Sequence, residues 1–152
     1  MDRDQLVNLA RDIATRAHAG QVDKAGLPYI RHPIAVAARL LVLYPDAPAT
    51  AVAAALLHDV PEDTDMTAED LLEAGIPREA VDDVVAVTKV PGESNEAYFA
   101  RVRARLWARR IKEADVDENS DPDRLALLES NTRTRLEGKY RRSRALLAVQ
   151  DA

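Results

Sequence analysis

The chain has 152 residues and a mass of 16.7 kDa, about one domain by length and enough to bury a core without staples. Hydrophobic residues make up 47% and charged residues 31%, which excludes wholesale disorder; the absence of cysteine excludes disulfides, thiolate metal sites, iron–sulfur clusters and cysteine nucleophiles. A net charge of −5 and a pI of about 5.2 weigh against a nucleic-acid binder, and no run approaches the roughly 20 apolar residues of a membrane span.

The opening Met-Asp-Arg-Asp-Gln is no signal peptide, so the expectation is a mature, cytoplasmic protein forming a single domain over residues 1–152. Few aromatics and abundant Ala, Leu and Arg favour helix. Leu6, Leu9, Ile13 and Ala17 share one face of a helix over about Gln5–His18, stopped by Gly20. A loop marked by Gly26 and Pro28 follows. A second helix starts near Pro33, with Ile34, Ala37, Ala38 and Leu41 as its buried stripe. After a turn at Pro45 and Pro48, a third helix runs to Asp59; it is apolar on most sides and so predicted to be central.

Pro61–Met66 reads as a short acidic loop. Thr67 and Asp70 form a capping box for a short helix that ends at Gly75. Another helix carries Val81, Val84, Val85 and Val87 and breaks at Pro91-Gly92. A long helix over about Asn95–Ala114 places Tyr98, Val102, Leu106 and Ile111 near one stripe. Asp121-Pro122 reads as an N-cap and first turn. A last helix covers about Thr132–Ala148, with Gly138 as a candidate interruption; its amphipathic face could serve the core or a homodimer. The fold class is all-α, some seven helices packed as one bundle.

Three histidines are present: His18, His32 and His58. His58-Asp59 closes the most apolar helix, a costly place for two polar side chains without a partner. Glu62 and Asp63 follow within one turn, and clustered carboxylates need a cation, protons or solvent to coexist. A solvated acidic loop accounts for them equally well at this level. His32 meets His58 if the second and third helices are antiparallel neighbours, and Asp115 stands near the end of the long helix. Arg101–Arg110 contains five arginines and Trp107, read as a solvated arginine face over a packed tryptophan rather than a nucleic-acid stripe.

His32, the His58-Asp59 doublet and the distant Asp115 resemble the HD-domain phosphohydrolase superfamily. Ala17-His18-Ala-Gly-Gln21, Asp23-Lys24-Ala-Gly26, Pro28-Tyr-Ile-Arg-His-Pro33, Leu56–Thr64, Val87-Thr-Lys89 and Ile111-Lys-Glu-Ala-Asp115…Asn119 resemble its RelA/SpoT-type alarmone hydrolase branch and the stand-alone small alarmone hydrolases. The resemblance spans about residues 5–148.

It implies an HD-domain bundle in which His32, His58, Asp59 and Asp115 hold one divalent metal, Mn²⁺ in most relatives, with Fe²⁺ also suited to two imidazoles and two carboxylates. Glu62 and Asp63 match the pair that orients or deprotonates the attacking water. Lys24 and Asn119 match substrate contacts, while Lys89 and Tyr140 are phosphate or ribose candidates or plain surface and packing residues. His18 is expected to be structural, which argues against a two-metal site. The implied reaction is hydrolysis of the 3′-pyrophosphate of guanosine tetra- or pentaphosphate, (p)ppGpp, to GDP or GTP and pyrophosphate. A chain of this length has no room for a synthetase domain, so degradation alone is expected. Val116, Asp117 and Glu118 depart from the branch's basic or aromatic residues; this leaves open an adenosine alarmone or a nucleoside monophosphate as substrate. A non-catalytic HD-fold regulator is the other alternative.

Overall fold

Asp2 opens the first helix, α1 (Arg3–Ala17): its carboxylate accepts from the Gln5 amide and the Gln5 side chain accepts from Asp2 N, a reciprocal cap. The computed structural model describes residues 1–150. Gly20, at φ +82°, turns the chain out of α1 where a side chain would be strained. The helices that follow are α2 (Arg31–Leu43), α3 (Ala49–Leu57), α4 (Val60–Asp63), α5 (Ala68–Glu73), α6 (Arg78–Val87), α7 (Asn95–Arg103), α8 (Leu106–Asn119), α9 (Pro122–Leu125) and α10 (Ser130–Leu147). Among the described residues there is no strand, only an isolated bridge between Val22 and Pro28, and no helix is long and apolar enough to cross a membrane.

The apolar run predicts the centre correctly. Every residue from Ala51 to Leu57 is buried, and α3 packs against α1, α2, α6 and α8. Four of those seven positions are alanine, so the neighbouring helices approach closely. Leu56 and Leu57 each contribute about 2–3 kcal/mol of burial, enough to hold the adjoining His58 at the same depth. A second, smaller core gathers Val87, Tyr98, Phe99, Val102, Val116 and Leu147. Helix α8 serves both cores, with Ile111 and Ala114 in the first and Ala108 and Val116 in the second.

Four local expectations are corrected. The long helix over Asn95–Ala114 breaks at Ala104–Arg105, where Arg105 is extended (φ −123°, ψ 125°) and its Nε donates to Asp83 Oδ1 at 2.8 Å. Leu106 consequently leaves the stripe and is 56% exposed. The buried stripe of α2 is His32, Val36, Ala37 and Leu40, with Ala38 exposed, because α2 must face α8 as well as α3. Residues 60–63 form the turn α4 rather than a loop, and Gly138 does not interrupt α10. The Thr67–Asp70 capping box is present as expected.

Four of the five arginines in the run are tied down, while Arg109 is exposed. Arg101 holds Glu93 and the carbonyls of Val85, Ala86 and Thr88; Arg103 donates to Leu146 O; Arg110 stacks over Tyr44 and Trp107. Trp107 packs against the main core, as predicted.

Candidate metal and substrate site

His32 lies in the first turn of α2, His58 and Asp59 at the end of α3, and Asp115 in the last turns of α8. Packing of α2 and α3 on α8 brings them together. His32 Nε2 is 2.8 Å from Asp115 Oδ1 and 3.9 Å from Asp59 Oδ2. His58 Nε2 is 3.1 Å from Asp59 Oδ2 and 3.4 Å from Asp115 Oδ1. The two imidazoles and Asp115 are buried.

Adjacent ligands of an octahedral cation with bonds of about 2.1 Å lie about 3 Å apart. His58 Nε2 has about that spacing from both carboxylates and His32 Nε2 from Asp115, while His32 and Asp59 stand wider at 3.9 Å; donor atoms of His32, His58 and Asp115 all lie within 4.8 Å of one another. His58 Nδ1 lies 2.6 Å from Ala55 O, to which it donates; this fixes the tautomer and turns the Nε2 lone pair inward. His58 Nε2 is buried and, despite its two carboxylate neighbours, is aligned with neither as a hydrogen bond. An orphaned buried nitrogen beside two carboxylates fits a divalent cation.

The electrostatics give the same direction. Burial disfavours a proton on His58, but Asp59 and Asp115 outweigh it and raise the imidazole pKa well above its usual value. Burial raises the Asp59 carboxyl, yet His58 and His32 hold it at about 2. Asp115 is held well below the usual carboxylate range against its own burial, chiefly by Lys112 and the two histidines. In the metal-free site a proton on His58 therefore balances part of the negative charge a cation would meet.

Neighbouring side chains hold the two carboxylates in place. Lys112 Nζ donates to Asp115 Oδ2 at 3.0 Å, and Asn119 Nδ2 donates to Asp115 Oδ1 at 3.1 Å. Tyr29 donates its hydroxyl to Asp59 Oδ2 and packs between the rings of His18 and His32. Sequence reasoning gave no role to Tyr29 or Lys112. Lys112 was findable, since a lysine three residues before a helical aspartate shares its face; Tyr29 acts across 30 residues and left no local signal.

All ten residues singled out from the sequence line one cleft of about 900 Å³ between the two cores. Asp59, Glu62 and Asp63 bring carboxylate oxygens within 4.8 Å of one another. Glu62 Oε1 accepts from Lys89 N at 3.0 Å, whereas no protein group bonds the Asp63 carboxylate among the described residues. Burial, then Asp59 and Glu62, push the Asp63 pKa up. Lys24 sits on the loop between α1 and α2, its pKa lowered by burial and by Arg135 and Arg124. Lys139 is lowered by burial and by Lys89, Lys24 and Lys112. The cleft is therefore lined by both an acidic cluster and a group of lysines and arginines. Asn119 and Tyr140 also line it, Asn119 already engaged with Asp115. The acids that depart from the branch are paired: Asp117 with Arg144 at 2.8 Å, and Glu118, which lines the cleft, with Arg39 at 2.9 Å. His18 is buried, with Nδ1 2.8 Å from Gln21 Oε1.

The chain is 54% identical over 61 residues to a guanosine-3′,5′-bis(diphosphate) 3′-pyrophosphohydrolase of Haemophilus influenzae, covering 40% of this chain and 9% of that protein. It is 42% identical over 98 residues to a GTP pyrophosphokinase of Streptomyces coelicolor, covering 62% of this chain and 11% of that protein. The matches thus span about a tenth of these relatives' length. The solved structure of a metazoan ortholog of SpoT that hydrolyses ppGpp superposes with a TM-score of 0.79 at 24% identity, over 97% of this chain and 88% of that one, a likeness of fold. The HD domain family model matches residues 10–137, a span that holds all four donor residues and most of both cores, and the chain belongs to that family.

Proposed function

We propose that this domain hydrolyses the 3′-pyrophosphate of guanosine tetra- or pentaphosphate, with one divalent cation, Mn²⁺ or Fe²⁺, held by His32, His58, Asp59 and Asp115. The observation that carries the reading is the pairing, in one cleft, of a four-donor set at 2.8–3.9 Å with a free carboxylate and a group of lysines and arginines. The family membership and the alarmone-hydrolase names of the relatives support it.

A cation there lowers the pKa of bound water and polarises phosphoryl oxygens. Asp63, with its raised pKa and unengaged carboxylate, takes the proton of the attacking water. Glu62, tethered to Lys89 N, flanks it and keeps that pKa up. Lys24 and Lys139 neutralise the polyphosphate. Water adds to the phosphorus bonded to the 3′ oxygen, that phosphorus–oxygen bond breaks, pyrophosphate leaves, and the 3′ oxygen takes up a proton. Lys112 and Tyr29 touch ligand carboxylates and act by orienting them.

The test is an assay of purified protein against guanosine tetraphosphate, its adenosine counterpart and nucleoside monophosphates, with Mn²⁺ added or chelated. Metal-dependent pyrophosphate release from the guanosine alarmone, abolished in Asp59→Ala, is the expected result. Turnover of only another nucleotide would overturn the substrate, and no turnover with metal bound would favour a sensor.

A further inference from the structure

The loop between α1 and α2 is a small closed hairpin. Tyr29 N donates to Gln21 O at 2.9 Å, Asp23 N donates to Leu27 O at 2.8 Å, and Lys24 lies at its tip. At its base, the Gln21 amide spans two elements. Its Oε1 is 2.8 Å from His18 Nδ1, and its Nε2 donates to the Asp63 carbonyl at 3.0 Å, 42 residues away. Since Gln21 Oε1 can only accept, His18 Nδ1 carries the proton and sets which way the amide faces. His18 is itself 2% exposed and cannot turn away to solvent.

The need for this contact follows from α4. It is four residues long, and its last carbonyl has no helical partner. Asp59, Glu62 and Asp63 crowd their carboxylates within 4.8 Å, and their mutual repulsion favours fraying of this turn. A cationic tether on the same carbonyl would also set a positive charge beside the carboxylates and lower the Asp63 pKa. An amide bonding the main chain holds the turn and leaves the Asp63 carboxylate charged and free.

We infer that Gln21, oriented by His18, is a positioning residue: it fixes the Glu62-Asp63 turn so that the Asp63 carboxylate faces the proposed metal ligands. The inference rests on the reading of Asp63 as the water-activating group. Gln21→Met keeps the volume and removes the bond; Gln21→Glu keeps the shape and removes the donor. In both, kcat for guanosine tetraphosphate should fall about ten- to a hundredfold, while KM and the Mn²⁺ affinity measured by calorimetry stay within about twofold. Independently of any substrate, amide hydrogen exchange across residues 59–64 should speed up in both variants while exchange in α3 does not. Unchanged kcat and unchanged exchange would overturn the inference. So would a loss of Mn²⁺ affinity that parallels the loss of kcat, since Gln21 would then support the ligands. If the wild-type protein turns over no alarmone, the functional reading fails, and faster exchange at 59–64 still reports on the tether by itself.

Discussion

In the proposed metal site, His58 is where a proton and a cation would compete. Its folded pKa stands above the ordinary value, so the proton is bound at neutral pH and is lost only as pH rises through that higher value. Below that value a cation must expel the proton, and metal affinity should climb with pH, by up to about tenfold per unit for one proton displaced. Calorimetric Mn²⁺ titrations in buffers of different ionisation enthalpy should show close to one proton released at pH 7; none released would mean His58 is already neutral. Tyr29 makes the complementary case. Burial and the Asp59 charge raise its pKa, so the hydroxyl stays protonated and serves Asp59 only as a donor. Tyr29→Phe keeps the ring between His18 and His32 and removes that donor. Mn²⁺ affinity should drop about tenfold or more, with the melting temperature nearly unchanged; a large melting shift at constant affinity would make the ring, not the hydroxyl, the important part.

The break between α7 and α8 shows what local sequence does not carry. No glycine or proline marks it, and the residues 95–114 read as one periodic helix. Arg105 leaves helical geometry, and its side chain reaches Asp83, whose carboxylate is 4% exposed. Burial raises the Asp83 pKa and Arg105 opposes the rise. Arg105→Ala strands the carboxylate and should cost about 2–3 kcal/mol, below the range for wholly buried pairs because Arg105 is partly solvated. Without Arg105 the folded pKa rises further above the unfolded one. The variant should therefore lose stability as pH rises from 4 to 7, measurable by urea unfolding at both pH values; a pH-independent deficit would refute the pairing as its cause. The legible elements were those whose signals are local: the Thr67–Asp70 cap, the apolar run of α3, and the His58-Asp59 doublet at its end. The face of α2 was misread because it is set by two neighbours at once, and the site's tethers because they join residues 30 and 42 positions apart.

At the scale of the molecule, the cleft exists because two cores do not merge, and α8 is the beam they share. Its ligand side presents Lys112, Asp115 and Asn119 to the cleft, while Ile111 and Ala114 enter one core and Ala108 and Val116 the other. One residue added to an α-helix turns everything beyond it by about 100°. A single-residue insertion after Ala108 would thus exchange the Asp115 carboxylate for a core methyl and bury charge on both sides. The same insertion at the tip of the Gln21–Tyr29 hairpin, beside Gly26, meets open space. Length variation in this chain should accordingly be confined by the helical register of α8, and an insertion scan read by soluble yield should find 108–115 closed to added residues and 24–26 open to them.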